Sequence, residues 1–126
     1  MSMKTPLKNV RGLGSAKDGT THWWHQKVTA VALIPLFVIA LAYAICLTGA
    51  DYMQVRETLS SPFATIVMLL LIGTTFYHLK LGLQVVIEDY IHTESTKIVC
   101  LLLNTFICSI VGLAAALAVL KLAFGG

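Results

Sequence analysis

The sequence predicts an all-α membrane protein built on three transmembrane helices, and two observations carry that reading. Apolar residues make up 57% of the 126-residue chain and charged residues only 12%, whereas soluble domains average about 25% charged residues. The charges are also missing from three long runs. Residues 28–50, 58–79 and 98–120 contain no Asp, Glu, Lys or Arg. Each run is about 22 or 23 residues, or about 33 Å of helix, close to the hydrocarbon thickness of a bilayer. A soluble domain this small leaves too much of its surface wet to hide so much apolar material. A cluster of buried soluble helices is the alternative that this spacing opposes.

Residues 1–27 form a polar, basic leader, with Lys4, Lys8, Arg11, Lys17 and Lys27 against the single acid Asp18. The loop after the first run carries Asp51, Arg56 and Glu57 and is poor in cations. The positive-inside rule therefore places the N-terminus, with the leader at the inner interface, on the cytoplasmic or matrix side, and an odd number of spans places the C-terminus opposite. The first run is too long and too far from the start to read as a secretory signal, and no small-residue cleavage pattern precedes a polar mature chain. Residues 28–126 are expected to form one three-helix domain, with spans over about 28–50, 62–90 and 98–121. The whole is a multi-pass inner-membrane protein, with no nucleic-acid partner expected.

Pro35 lies inside the first span, where neighbouring helices must satisfy the carbonyl it frees. Pro62 follows Ser60-Ser61, a cap and first-turn arrangement for the second helix. That helix can run to about Ile91, roughly 40 Å, so it tilts or projects into the inner headgroup layer. Gly112 and Ala116 form a small-xxx-small pair on the third span, suited to close packing or to a lipid-facing surface. The three cysteines, Cys46, Cys100 and Cys108, sit in apolar runs. Cys100 and Cys108 are about 12 Å apart along one helix, too far for a disulfide, and read as small buried hydrophobes. Three such helices make a thin bundle with few interior positions. A cofactor could be buried only by sharing it with a second subunit in a heteromeric bundle.

Ionisable side chains at membrane depth are costly and mark function by default. Only His78 and Lys80 qualify, both on the second span. A neutral imidazole there needs a partner for each ring nitrogen, or a metal on one of them. Axial ligation of haem is one use; an interhelical hydrogen bond or a proton path are the others. Gly82 lies about 40° round the helix from His78 and would admit a flat macrocycle close to the backbone. Asp89 returns to within about 20° of the same face, about 16 Å further inward. Tyr90 stands beside it, about 120° from His78.

A phenol beside a carboxylate can donate a hydrogen bond to a carbonyl and pass a proton on, as reduction of a quinone requires. An interfacial tyrosine with acids facing water fits the same spacing. Lys80 is about 200° from His78 and snorkels inward as a structural residue. The segment His22-Trp23-Trp24-His25-Gln26-Lys27 is rich in residues that favour a membrane boundary. Lys27 could neutralise a buried anion such as a haem propionate. His22 and His25 could together touch a metal, but no further ligand lies nearby in the sequence.

The stretch from His78 to Tyr90, HLKLGLQVVIEDY, resembles the signature of the hydrophobic membrane anchor of succinate dehydrogenase, the smaller of the two membrane subunits of respiratory complex II. In that family a histidine, a glycine four residues on and an Asp-Tyr pair eleven and twelve residues on recur on the second of three helices. His78, Gly82, Asp89 and Tyr90 match all four. Gly14-Ser15-Ala16-Lys17 followed by His22-Trp23-Trp24-His25-Gln26-Lys27 is similar to the alphaproteobacterial and mitochondrial leader, so the resemblance covers nearly the whole chain.

The resemblance implies that His78 is one axial ligand of a b-type haem whose other ligand comes from a second haem-binding anchor subunit. Tyr90 would hydrogen-bond ubiquinone, supported by Asp89. Lys27 stands where the family commonly has an arginine on a haem propionate, and lysine offers a point charge in place of a bidentate fork. Lys80 departs from the family's usual apolar or aromatic residue. The further partners implied are an iron–sulfur subunit and a flavoprotein that oxidises succinate. This chain has no dinucleotide fingerprint and no cysteine cluster, so it holds neither flavin nor iron–sulfur centre itself and is not catalytic alone. The function to weigh against this is a small proton-coupled transporter or other non-redox membrane protein, with His78 and Asp89 as a relay.

Overall fold

The computed structural model describes residues 5–7 and 17–125. The leader residues Lys4, Lys8, Arg11 and Gly14-Ser15-Ala16, and the terminal Gly126, lie outside them. The fold is all-helical: α1 (Lys17–Cys46), α2 (Tyr52–Leu59), α3 (Pro62–Tyr90) and α4 (Glu94–Ala123). Among the described residues three helices are long and apolar enough to cross a membrane, namely Gly19–Cys46, Pro62–Tyr90 and Glu94–Ala123.

Each boundary has a local cause. Pro35 is accommodated inside an unbroken α1. After Cys46 the chain turns through Gly49 at φ +82°, a left-handed conformation in which a Cβ would be strained. The segment expected as a loop after the first span is instead the short helix α2. Its cause is a capping box that periodicity alone does not reveal. The Gln54 amide donates to the Asp51 carboxylate at 2.8 Å, and the Asp51 amide donates to the Gln54 side chain at 3.1 Å, satisfying two otherwise orphaned donors. For α3 the cap is Ser61, which accepts from the Ala64 amide at 3.4 Å, with Pro62 in the first turn. The missing N–H of Pro62 costs nothing there.

The three long helices form an open layer with α3 in the middle. α3 packs against α1 on one side and α4 on the other, while α1 and α4 do not meet. α2 lies against the ends of α3 and α4. Such a layer has almost no interior. The buried apolar residues are Ala64, Val67, Leu81, Cys108 and Val119, and no large side chain is fully enclosed among the described residues. Phe37 on α1 is 63% exposed and Leu113 on α4 is 71% exposed. A water-soluble protein does not tolerate continuous apolar surface on this scale. Lipid is the solvent for which the sequence is written.

Two contacts fasten α3 to α4. A Cβ built on Gly112 would stand 3.3 Å from the ring of Phe76, so the absent side chain lets that ring sit flush against α4. Asn104, buried in the middle of α4, donates from its amide to the Lys80 carbonyl at 2.9 Å. Its oxygen accepts a 3.5 Å contact from the Cys108 thiol, so both ends of the amide are engaged. Cys46, Cys100 and Cys108 are all free thiols.

Candidate functional site

The site is built where α1 and α3 cross antiparallel. Thr29 on α1 meets His78 on α3, with Oγ1 and Nδ1 2.9 Å apart. One turn toward the N-terminus of α1, Gln26 covers Gly82: a Cβ there would lie 3.4 Å from the Gln26 amide nitrogen. His22 continues the same stripe one turn further. The spacing of His22, Gln26 and Thr29 places all three on one face of α1.

His78 is half-buried between the two helices. Its Nδ1 is engaged by Thr29, and its Nε2 makes no hydrogen bond among the described residues. Thr29 is buried, and its hydroxyl also lies 2.8 Å from the His25 carbonyl and 3.0 Å from the Gln26 carbonyl. Beside this crossing, the Tyr77 hydroxyl lies 2.8 Å from His25 Nδ1, with the rings tilted at 51°. His25 is thus committed to Tyr77, and His22 is not joined to it. Among the described residues no three of His, Cys, Asp and Glu are grouped to hold a metal, so His78 stands as a lone imidazole donor.

Among the described residues two buried polar atoms on the α1 stripe have no hydrogen-bond partner, Nε2 of His22 and Oε1 of Gln26. Buried polar groups are nearly always satisfied, so unsatisfied ones need an explanation. His78 Nε2 is left open to a further partner, whereas the two orphaned atoms are enclosed by the chain itself.

At the C-terminal end of α3, Gln84 donates to Glu88 at 2.9 Å. Asp89 and Tyr90 are exposed, Tyr90 at 78%, and make no hydrogen bond to each other. Lys27 is also exposed, as are the tryptophans beside it. The helix brings His78, Gly82 and Asp89 onto one stripe but does not bring Tyr90 or Lys27 into contact with it. The grooves between α3 and α4, of about 400 and 490 Å³, are lined by residues such as Phe76, Leu69, Leu83 and Ile107 and do not contain His78.

Sequence reasoning passed over Thr29 and Asn104, the two buried polar residues that fix α3 against its neighbours. The signal was present. A polar residue inside an uncharged span prefers an interhelical partner, and His22, Gln26 and Thr29 form a polar stripe at helical spacing.

Comparison with known proteins bears on all of this. Residues 1–112 match the family model for the succinate dehydrogenase/fumarate reductase transmembrane subunit. The chain is similar to the succinate dehydrogenase hydrophobic membrane anchor subunits of Paracoccus denitrificans, at 36% identity over 74% of this chain and 72% of the relative, and of Rickettsia bellii, at 32% over 75% of each. It is 31% identical to the succinate dehydrogenase membrane anchor subunit of Reclinomonas americana, over 69% of this chain and 75% of the relative. No solved structure gives a significant match.

Proposed function

The chain belongs to the succinate dehydrogenase/fumarate reductase transmembrane subunit family, and from that premise we propose that it anchors a succinate dehydrogenase in the inner membrane, co-ligates haem b through His78 and helps form the ubiquinone site through Tyr90 and Asp89. The family membership and the three apolar helices make it a multi-pass inner-membrane anchor subunit. The finer assignments rest chiefly on one observation. His78 is held between α1 and α3 by one ring nitrogen while the other makes no bond within the described residues.

The open layer supports a shared cofactor. Neither face of α3 is closed by this chain, so a second anchor protein has room to supply the opposing ligand and to cover the His78 face. Haem, when bound, supplies a one-electron redox centre; the contribution of this chain is to hold and orient it. Gly82 adds no side chain of its own beside His78, although Gln26 of α1 lies over it, and Lys27 offers a cation for a propionate at the inner surface.

Tyr90 and Asp89 act at the inner end of α3, the cytoplasmic or matrix side where the basic leader lies. Reduction of a quinone to the quinol takes up two electrons and two protons. The electrons come from the iron–sulfur protein on that side, which the flavoprotein supplies from succinate. The Tyr90 hydroxyl donates to a quinone carbonyl and stabilises the charge that develops there. Asp89, exposed to water, connects that hydrogen bond to the proton supply. Exposure of both side chains in the isolated chain fits a pocket whose remaining walls come from partners. The transporter alternative has nothing comparable in its favour: His78 and Asp89 stand about 16 Å apart along one helix.

The test is a dithionite-reduced minus oxidised spectrum of the complex purified in mild detergent. A low-spin b-type signal that disappears in His78→Ala is the expected result. Co-purifying flavoprotein and iron–sulfur protein with no haem signal would keep the anchor role and remove the ligand assignment.

A further inference from the structure

Thr29 has one hydroxyl proton and three neighbours competing for it: the His25 carbonyl at 2.8 Å, the Gln26 carbonyl at 3.0 Å and His78 Nδ1 at 2.9 Å. A hydroxyl donates once and accepts through its lone pairs. Were the proton aimed at His78, Oγ1 would face two carbonyl oxygens at contact distance with no hydrogen between them. With the proton on the i−4 or i−3 carbonyl, the usual back-bond of a threonine in a membrane helix, the Oγ1 lone pair instead faces Nδ1. Nδ1 must then carry the proton, and Nε2 is left as the lone-pair nitrogen.

From this geometry we infer that Thr29 is a positioning residue for the haem: its back-bonded hydroxyl holds His78 in the Nδ1–H tautomer and aims Nε2 outward as the ligating atom. The inference deepens the haem reading above and rests on it. It uses a side chain in another helix that the ligand motif on α3 does not contain. Metal-bound histidines generally donate their second N–H to an acceptor, which fixes the ring orientation and makes the ligand more basic. Thr29 is buried at the crossing of α1 and α3, so the acceptor is shielded from water and its orientation is set by the α1 backbone. A more basic imidazole favours the ferric state. Thr29 therefore holds the haem midpoint potential below the value that His78 without this bond would set.

The experiment compares wild type, Thr29→Val and Thr29→Ser in the whole purified complex, by haem content, redox titration of the haem and low-temperature electron paramagnetic resonance. Valine keeps the shape and removes the acceptor; serine keeps the acceptor. The expected result is a more positive midpoint and altered low-spin g values in Thr29→Val, with Thr29→Ser restored toward wild type. Thr29→Ala, which adds no bulk, carries the same expectation if the valine complex does not assemble. A wild-type potential and spectrum in the valine or alanine variant would overturn the inference while leaving His78 as ligand. Equal disturbance in the serine variant would also overturn it, since packing and not the hydroxyl would then hold the ring. A wild-type complex with no haem, or one whose haem survives His78→Ala, would instead fail the underlying ligand assignment.

Discussion

Asn104 crosses from α4 to the backbone carbonyl of Lys80 at 2.9 Å, two residues beyond His78 on the same helix. The carbonyl already lies in the α3 hydrogen-bond ladder, and its second lone pair takes the asparagine amide. α3 is thus held from both sides at nearly the same depth, by Asn104 on α4 and by Thr29 on α1. The candidate ligand sits between two fixed points.

Asn104→Leu removes the clamp without opening a large cavity. Interhelical hydrogen bonds in membranes average about 0.6 kcal/mol and reach about 1.7 kcal/mol, so a loss in that range is expected. The check is the thermal denaturation midpoint of the detergent-solubilised complex, with Cys108→Ala as a comparison that leaves the amide bond intact. A midpoint that moves as much for Cys108→Ala as for Asn104→Leu would mean that packing near Cys108, not the hydrogen bond, is what matters.

Gly112 and Phe76 should behave as a coupled pair. A side chain at position 112 meets the Phe76 ring at 3.3 Å, and overpacking of this kind costs about 1–3 kcal/mol. Gly112→Val should therefore destabilise the complex, and Phe76→Leu in the same chain should recover part of the loss. Additive effects of the two substitutions would show that the close approach is not what position 112 requires.

Tyr90→Phe removes a hydroxyl that is exposed and makes no hydrogen bond among the described residues. Folding should be unaffected, because nothing buried loses a partner. Succinate-driven quinone reduction should slow by about 100- to 1000-fold, the range for loss of one positioned donor, with the haem spectrum intact. If the haem spectrum changes, Tyr90 is a structural residue and the quinone assignment falls.

Lys27→Ala tests the propionate contact. Removing a cation beside haem favours the ferric form, so the midpoint should become more negative, opposite in sign to the change expected for Thr29→Val. Lys27→Arg should keep the wild-type potential, since the charge remains. An unchanged midpoint in Lys27→Ala would place the lysine at the lipid headgroups only.

The helices could be read from the chain because membrane spans are a one-dimensional signal. An uncharged run of bilayer length reports a helix whatever surrounds it. Ser61-Pro62 marked the start of α3 as the structure has it, and the His78–Tyr90 motif marked the family to which the comparisons assign the chain. Helical periodicity was enough to align His78, Gly82 and Asp89 on one stripe. The capping box of Asp51 and Gln54 was equally local, but α2 lies in a polar segment where no apolar period drew attention to it.

What the sequence determined by itself, then, was the solvent, the number of crossings and the residues that stand along each face, since these depend only on local composition and a fixed helical pitch. Which helices touch was decided in three dimensions. α3 lies between α1 and α4, Thr29 falls opposite His78 although 49 positions separate them, and Asn104 finds a backbone carbonyl 24 positions away. No periodicity encodes such pairs. They follow from the antiparallel register of packed helices, where a buried polar group that its own helix leaves unsatisfied can find a partner on a neighbour because the lipid offers none.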